Sequence, residues 1–310
     1  MHVPSAVRRE ADAALLTGLA DRAADPAEAG PFLLDGRKAA YLVTHGDADL
    51  YTVQRAAFPQ PLSAGTFLTR IEPGAVVPSS TVLGAWQLVL VPLPGTRIRS
   101  LRPGRLRRLG LGGPADADGP IDDLVPTPRA ASVLAAALAR ALDTGLLAIA
   151  DALRIGQPPA HAMSMGNAQL VSLAEGSALA GCIADGSAAD GQQVAGMGTV
   201  RWLRVAGGHI RRNGDHAAVF GGPEPVLLAG RDWIVADGPC TVESVRTVDL
   251  LVAGQLSAAI DHHSVLTLRT IECLLAGGEP VGMPPAWPPP GCPRCATGSP
   301  GVGGDLSSWR

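Results

Sequence analysis

The apolar positions divide the chain into two strand-like segments separated by one helical segment. Between residues 127 and 154 the large apolar side chains recur every three or four positions, which predicts an amphipathic helix with one apolar stripe. Pro128 suits the first helical position, where a missing N–H costs nothing, and Gly145 is a candidate kink. Charged residues interrupt the stripe at Arg140, Asp143 and Asp151. This polarity favours a helix packed on a β module over a membrane span.

The two flanking segments consist of short apolar runs broken by glycine and proline. Residues 30–110 contain consecutive strand-like runs with turns at Gly46, Gly74 and Gly95, and no helical period interrupts them. The same pattern returns over residues 167–252. We therefore expect a mainly β protein with helices, of the α+β class, in which two antiparallel β-roll or jelly-roll modules are joined by a helix.

The two strand-rich segments resemble each other weakly. Tyr41-Leu42 precedes Gly46 at the same distance at which Trp202-Leu203 precedes Gly207. Further along, we align IEPGAVV with LLAGRDWIV, and GTRIRSL with VRTVDLLV. The pattern predicts an internal duplication.

The pattern also predicts the limits of each part of the chain. The expected order is an N-terminal helix (1–29), a first roll (30–110), a linker with the central helix (111–166), a second roll (167–252), a C-terminal helix (253–278) and a disordered Pro/Gly-rich tail (279–310).

Composition narrows the class of protein further. The 310 residues carry a net charge of −3, which gives no reason to expect a nucleic-acid partner. The N-terminus carries acidic residues among its apolar ones and does not resemble a signal peptide, and no uncharged apolar run is long enough to span a bilayer. We therefore expect a cytoplasmic protein.

The five cysteines are odd in number and unevenly spread, and the one CxxC pair, Cys292 and Cys295, lacks a second pair for zinc.

The sequence contains no motif that predicts catalysis. It has no phosphate loop, nucleophile elbow, HExxH or HxH, and His45, His209 and His216 lie singly at predicted turns. The stretches that would correspond to a cyclic-nucleotide phosphate cassette, GAVVPSSTVLG and GRDWIVADG, lack an arginine in the required place. We expect no enzymatic activity, no metal and no cofactor.

Two kinds of residue are candidates for partner binding. Six arginines lie between Arg97 and Arg108, where they form either a solvated strand edge or a surface for anionic lipid or an acidic partner. Tryptophans on strands have two interpretations. The simpler one is that they are buried in the core, and the other is that they bind a partner. The candidates are Trp86, Trp202, Trp233, Arg105, Arg107 and Arg108.

Taken in order, these segments resemble the region that precedes the membrane and ATPase domains in NHLM (or NHLP) bacteriocin-export ABC transporters. The resemblance covers residues 30–276 and rests on YLVTHGDADLYTV, GTFLTRIEPGAVV, GTRIRSL, GTVRWLRVAGG and RDWIVADG with the helix GQLSAAIDHH. It implies tandem β rolls similar to cyclic-nucleotide-binding and cupin folds. The membrane helices and the ATPase of that family are not in this sequence, so ATPase activity is not implied.

The expected function is a non-catalytic regulatory or substrate-recognition role beside such an exporter. The partners would be the transporter's membrane or ATPase components or its peptide substrate, with peripheral membrane association through the transporter and no nucleic acid. Rolls with open strand edges can bind an extended peptide by strand addition. The alternative is a sensor for a small molecule, such as a cyclic-nucleotide-like ligand.

Overall fold

The computed structural model describes two compact units. The described residues are 5–18, 31–36, 40–54, 65–80, 85–101, 128–153, 161–164, 169–180, 200–212, 219–221, 224–230 and 232–275. Unit 1 comprises the described residues up to Ala148 together with Thr247–Ser264, and unit 2 comprises Ile149–Arg246 with the described residues from Val265.

Unit 1 contains two antiparallel sheets. Its strands are β1 (Phe32–Leu33), β2 (Ala40–His45), β3 (Ala48–Gln54), β4 (Gly65–Ile71), β5 (Val76–Pro78), β6 (Trp86–Pro92) and β7 (Arg97–Leu101). One sheet has the order β1-β6-β3-β4 and the other the order β5-β2-β7. The helix α1 (Ser5–Thr17) contacts β2.

Unit 2 also contains two sheets. Its strands are β8 (Met163–Ser164), β9 (Leu170–Leu173), β10 (Ala178–Ala180), β11 (Val200–Gly207), β12 (Ile210–Arg212), β13 (Val219–Phe220), β14 (Val226–Ala229), β15 (Trp233–Ala236) and β16 (Cys240–Val245). The sheet orders are β13-β12-β15-β10-β8 and β14-β11-β16-β9, and only the β8–β10 pair is parallel. The expected α+β class with mainly antiparallel sheets is therefore confirmed.

The core of unit 2 lies between its two sheets. Leu203 on β11 and Val242 on β16 come from one sheet, and Ile210 on β12 and Ile234 on β15 come from the other, yet all four belong to one buried cluster. Alternation along each strand sends these side chains inward, because successive residues of a strand point to opposite faces. A second cluster on the other face of the β15 sheet contains Ala178 and Trp233.

A bulged strand and a tight glycine turn recur in both units. The β2–β7 register shifts between Val43 and His45, and the β11–β16 register shifts between Val205 and Gly207. The next residue is a glycine with positive φ in each case, Gly46 (64°) and Gly208 (78°).

These glycines lie against equivalent positions. A Cβ on Gly46 would meet the backbone and side chain of Thr96, and a Cβ on Gly208 would meet Pro239 and Cys240. Thr96 precedes β7 and Cys240 begins β16, the strands that pair with β2 and β11. Glycine is required at both turns because a larger residue would be strained in φ and would also clash.

The structure corrects the sequence alignment of the two halves. The positive-φ counterpart of Gly46 is Gly208, not Gly207, so the earlier alignment of Tyr41 with Trp202 is one residue out of register. VRTVDLLV is not a strand like GTRIRSL, because most of it forms the helix α3 (Thr247–Val252). The counterpart of β7 is β16, and both follow a turn with a positive-φ glycine, Gly95 and Gly238.

The predicted central helix is α2 (Pro128–Ala152), and two of its charged side chains, Arg140 and Asp143, have partners within unit 1. Arg140 donates two hydrogen bonds to the buried Asp12 of α1, at 2.7 and 2.8 Å, and these bonds raise the pKa of Arg140. Asp143 accepts a hydrogen bond from Thr247. By length and composition this helix could cross a membrane, but 56% of its apolar window is buried inside the structure.

Gly145 does not interrupt α2. The helix continues through it, and a Cβ at this position would overlap the carbonyl oxygen of Val76 on β5. The glycine is therefore explained by close packing of the helix backbone on a strand, and the candidate kink is not needed.

The last described helix is α4 (Leu256–Leu275). The predicted linker from residue 111 to the start of α2 and the predicted tail at 279–310 lie outside the described residues.

We predict that Gly145→Ala lowers the free energy of unfolding by about 1–3 kcal/mol, because the new methyl group must displace the Val76 backbone. Intrinsic helix propensity alone would give the opposite sign, since alanine is better than glycine by about 1 kcal/mol. Urea unfolding followed by circular dichroism measures the difference. Gly207→Ala is the matched control, because no heavy atom lies within 4 Å of its Cβ position. Equal stability of Gly145→Ala and the unaltered chain would contradict this packing.

Candidate functional site

An open cleft of about 350 Å³ lies in unit 1, where α1 ends beside β2 and β7. It is lined by Thr17, Thr44, His45, Arg97 and Arg99. Three of these five residues are basic and none carries a carboxylate. The volume is in the range of small-ligand and side-chain pockets.

Strand register brings the basic side chains together. β7 is the edge strand of the β5-β2-β7 sheet, and His45 pairs with Arg97 while Leu42 pairs with Arg99. Because side chains alternate along a strand, Arg97 and Arg99 share one face and Ile98 points to the other, where it is buried. The bulge after Val43 sets the pairing of His45 with Arg97.

Both hydroxyl groups of the cleft donate to backbone carbonyls. Thr44 donates to the oxygen of Arg97 at 2.9 Å, and Thr17 donates to the oxygen of Ala13 at 2.8 Å. Arg99 donates a long hydrogen bond of 3.5 Å to the carbonyl of Thr17, which positions its guanidinium at the end of α1. The cleft therefore presents positive charge without a paired carboxylate, and an anionic group would satisfy it through charge-assisted hydrogen bonds.

The equivalent place in unit 2 does not have this charge. In the matching register Gly207 pairs with Thr241 and Arg204 pairs with Glu243. The Arg204 and Glu243 side chains form an ion pair at 3.8 Å. A negative residue thus stands where unit 1 has Arg99, so the cationic cleft is a property of unit 1 among the described residues.

Arg70 and Arg212 on the sheets have carboxylate partners. Arg70 donates to Asp49 at 2.9 Å, and this hydrogen bond raises the pKa of Arg70. Burial, with the nearby Asp49 charge, raises the pKa of Tyr51. Arg212 donates to the buried Asp232 at 2.6 Å. These pairs contribute to the structure of their ladders.

The predicted tryptophans lie on three different strands. Trp202 on β11 is completely buried, whereas Trp86 on β6 and Trp233 on β15 are partly exposed. Trp233 packs beside Ala162, Ala178 and Ala180. The structure does not bring the three together, and their role in partner binding stays a prediction. Arg105, Arg107 and Arg108 lie outside the described residues.

The sequence pattern indicates the separate parts of the cleft but not that they lie together. His45 was interpreted as a solvated turn residue, and Arg97 as the first residue of a basic run. The available signal was the spacing of Arg97 and Arg99 around the apolar Ile98, which predicts a strand with two cations on one face. This spacing along one strand could not predict that a distant strand, β2, contributes His45 to the same cleft.

Within the described part of the chain, no three His, Cys, Asp or Glu side chains form a group that could hold a metal ion. Cys240 is the cysteine for which the structure gives surroundings: it is reduced and buried, and burial raises the pKa of its thiol. The Cys292 and Cys295 pair lies outside the described residues.

Comparisons with known proteins add little to this geometry. No protein-family model and no curated protein matches the sequence. Among solved structures, the chain is similar to cAMP-bound PfPKA-R at 8% identity and a TM-score of 0.25, over 90% of this chain and 94% of that one. It is also similar to the regulatory domain of Toxoplasma gondii PKA with cAMP, at 10% identity and a TM-score of 0.18, over 85% of this chain and 98% of that one. Superpositions this loose carry no argument, so the class of the protein, mixed α+β with mainly antiparallel sheets, rests on its own strand order.

We predict that Trp202→Ala lowers the free energy of unfolding by about 3–5 kcal/mol, because it empties a fully buried site. Trp86→Ala, at a partly exposed position, should cost less than about 2 kcal/mol. Urea unfolding of both variants tests the ranking. Equal losses would contradict the assignment of Trp202 to the core and Trp86 to the surface.

We also predict that Cys240 reacts slowly with iodoacetamide at pH 8. A raised thiol pKa keeps the group protonated there, and the thiolate that reacts forms only as the pH rises through the raised value. Peptide mass spectrometry should show rapid modification of Cys240 in urea and slow modification in the folded chain. Equal rates in the two states would contradict its burial.

Proposed function

We propose that this chain is a cytoplasmic, non-catalytic recognition or regulatory region that acts beside a bacteriocin-type ABC peptide exporter. In this proposal unit 1 binds an acidic group of its partner in the cationic cleft. The observation that carries the proposal is the cleft itself, in which Arg97 and Arg99 present positive charge beside His45 at the edge of a sheet, with no carboxylate among the lining residues. Such a surface favours and orients an acidic partner.

We further propose that the two units are tandem copies of one β roll. Three correspondences support this: the order β5-β2-β7 matches β14-β11-β16, the order β1-β6-β3-β4 matches β10-β15-β12-β13, and the bulges fall at matching places. The close approaches of Gly46 to Thr96 and of Gly208 to Cys240 are a fourth correspondence. A duplicated roll can keep its core while one copy changes its surface, and the exchange of Arg99 for Glu243 is such a change.

The exporter context rests on the sequence resemblance alone, and none of the comparisons names a transporter. Both the membrane or ATPase components and the exported peptide are candidate partners in this proposal. Membrane association would then be indirect, through the transporter.

The alternative function is a sensor for a small anionic molecule, and the volume of the cleft favours it. A cyclic-nucleotide phosphate cassette would place an arginine after the strand, whereas Arg231 and Asp232 lie in the connection that leads into β15. In unit 2 that connection is a tight turn after Gly230, closed by a hydrogen bond from the Asp232 N–H to the Ala229 oxygen at 3.0 Å. The Asp232 carboxylate already accepts a hydrogen bond from Arg212, and Arg231 of the same turn lies outside the described residues.

We predict that the tagged chain co-purifies with the membrane or ATPase component of an NHLM-type exporter co-expressed from the same cells. Reversing the charge of the cleft with Arg97→Glu/Arg99→Glu should lower the recovered amount about tenfold, because an acidic partner then meets negative charge. Quantitative mass spectrometry of the detergent-solubilised complex measures this.

The matched control is Arg8→Glu/Arg129→Glu, which makes the same change in net charge at exposed residues of unit 1 outside the cleft. Failure of the unaltered chain to recover any exporter component would overturn the exporter context. A thermal shift of the chain with a cyclic nucleotide, absent from the charge-reversed variant, would instead favour the sensor.

A further inference from the structure

The cationic cleft of unit 1 brings two guanidinium groups and one imidazole to a single face of a sheet. Arg97 and Arg99 lie two positions apart on β7, so their Cα atoms are about 6.5–7 Å apart and their side chains leave the same face. His45 lies directly opposite Arg97 in the register, and residues in that relation have Cβ atoms about 4.5–5.5 Å apart. Side chains as long as arginine can therefore contact one small group that lies between the three residues.

Two hydrogen bonds position the arginines of the cleft. Arg99 donates to the carbonyl oxygen of Thr17 at 3.5 Å, which uses one of the five N–H groups of a guanidinium. Thr44 donates its hydroxyl hydrogen to the carbonyl oxygen of Arg97 at 2.9 Å, so the bulge of β2 is tied to the backbone that carries Arg97. Because these bonds are already made, a ligand has less to order when it binds.

The number of cationic groups indicates the kind of anion that fits. A carboxylate carries one charge, and the fork of a single guanidinium satisfies both of its oxygens. A phosphate monoester carries a charge of about −1.5 to −2 at pH 7 and has three acceptor oxygens. Two guanidinium groups match that charge, and the imidazole of His45 has an N–H donor in either protonation state for the third oxygen. The cleft therefore suits a phosphate monoester better than a carboxylate.

The volume and lining of the cleft limit the organic part of such a ligand. The cleft has a volume of about 350 Å³, near the lower end of the range of about 300–1,000 Å³ for small-molecule pockets. Its described lining is polar, made of two threonines, one histidine and two arginines, and it includes no apolar side chain against which a large ring could pack. Recognition is therefore concentrated on the phosphoryl group, and the group esterified to it is small or extends into solvent.

We propose that the cleft where α1 ends beside β2 and β7 binds the phosphoryl group of a phosphate monoester. Arg97 and Arg99 bind its oxygens through charge-assisted hydrogen bonds, and His45 donates to the remaining oxygen. A phosphorylated side chain of a partner and a small phosphorylated molecule present the same group, so the chemistry is common to both. This inference rests on the recognition role proposed above, and it names the chemistry of the acidic group.

Unit 2 provides a comparison within the same chain. Thr241 takes the place of Arg97, and Glu243 takes the place of Arg99. Glu243 also forms an ion pair with Arg204 at 3.8 Å. A phosphoryl group at this position would meet a carboxylate of like charge, so we expect the ligand to bind unit 1 and not the equivalent face of unit 2.

The test titrates ethyl phosphate into the isotope-labelled full chain at neutral pH, followed by nuclear magnetic resonance. Resonances of His45, Arg97 and Arg99 should shift, and those of β16 should not. Dimethyl phosphate, methyl sulfate and acetate each carry a single charge, so they should bind at least about tenfold more weakly than ethyl phosphate.

Substitutions separate the guanidinium geometry from charge alone. Arg97→Lys/Arg99→Lys keeps both charges but removes the planar forks, so the affinity for ethyl phosphate should fall about tenfold. Arg97→Thr/Arg99→Glu gives unit 1 the residues of unit 2 and should abolish binding. Arg97→Gln alters an exposed side chain and leaves the Arg99–Thr17 bond in place, so it should weaken binding without disturbing α1. The Arg8→Glu/Arg129→Glu chain should bind ethyl phosphate like the unaltered chain.

A phosphopeptide identifies the source of the phosphoryl group. The probe is acetyl-Gly-phosphoserine-Gly-amide, and its unphosphorylated form should not bind. An affinity at least about tenfold higher than that of ethyl phosphate would assign the cleft to a phosphorylated side chain of a partner. Equal affinities would assign it to a small phosphorylated molecule, and both results support the proposed chemistry.

Three results would overturn the proposal. Equal binding of ethyl phosphate, dimethyl phosphate and acetate would show a general attraction of anions, and an unchanged affinity of the Arg97→Lys/Arg99→Lys chain would show that the guanidinium forks have no role. Binding only by an Asp21→Asn/Asp25→Asn/Glu28→Gln chain would assign the cleft to the protein's own acidic residues.

The outcome is independent of the exporter experiment. If ethyl phosphate does not bind but charge reversal in the cleft still lowers exporter recovery, this inference falls and the recognition role stands. If ethyl phosphate binds as expected but no exporter component is recovered, the exporter context falls and this inference stands.

Discussion

The contact of Gly46 with Thr96 is the constraint on which the cleft depends. Gly46 ends the bulged strand β2, and it approaches Thr96 so closely that no side chain fits between them. Thr96 also donates its hydroxyl hydrogen to the Asp47 carbonyl, which ties the β2–β3 turn to the start of β7. This contact sets the register in which His45 lies opposite Arg97 and both guanidinium groups reach one face. Without it the two guanidinium groups and the His45 side chain would have no common site.

The helix α2 shows how polar residues can remain in an apolar element. Its sequence is apolar enough to suit a membrane, yet Arg140 binds the buried Asp12 and Asp143 accepts from Thr247. A charge without these partners would be costly to bury, so the two contacts define which face of the helix packs on α1 and which on α3. Gly145 completes the fit by letting the helix backbone reach β5. The charges that argued against a membrane span in the sequence are thus explained by specific partners.

Local pattern predicted the elements of this protein better than their pairing. The central helix, the strand-rich halves and the turns at Gly46, Gly74 and Gly95 follow from periodicity and glycine chemistry. The alignment of the halves was out of register because Gly207 and Gly208 are adjacent at the end of β11, and a residue count cannot show which of them takes the positive-φ position of Gly46. The cleft was missed because it joins residues from three distant parts of the chain. Candidate residues such as Arg105 lie outside the described part of the chain and remain predictions.

The exchange of Thr96 for Cys240 at matching turns has a chemical consequence. Sulfur can be oxidised, and each step of that oxidation adds a bulky, polar oxygen to the side chain. Cys240 belongs to the buried cluster between the two sheets of unit 2, where an added polar oxygen would have to lie among apolar side chains. Oxidative damage at this sulfur would therefore disrupt the core of the second unit, whereas the first unit, with a hydroxyl in the same place, is chemically inert to it.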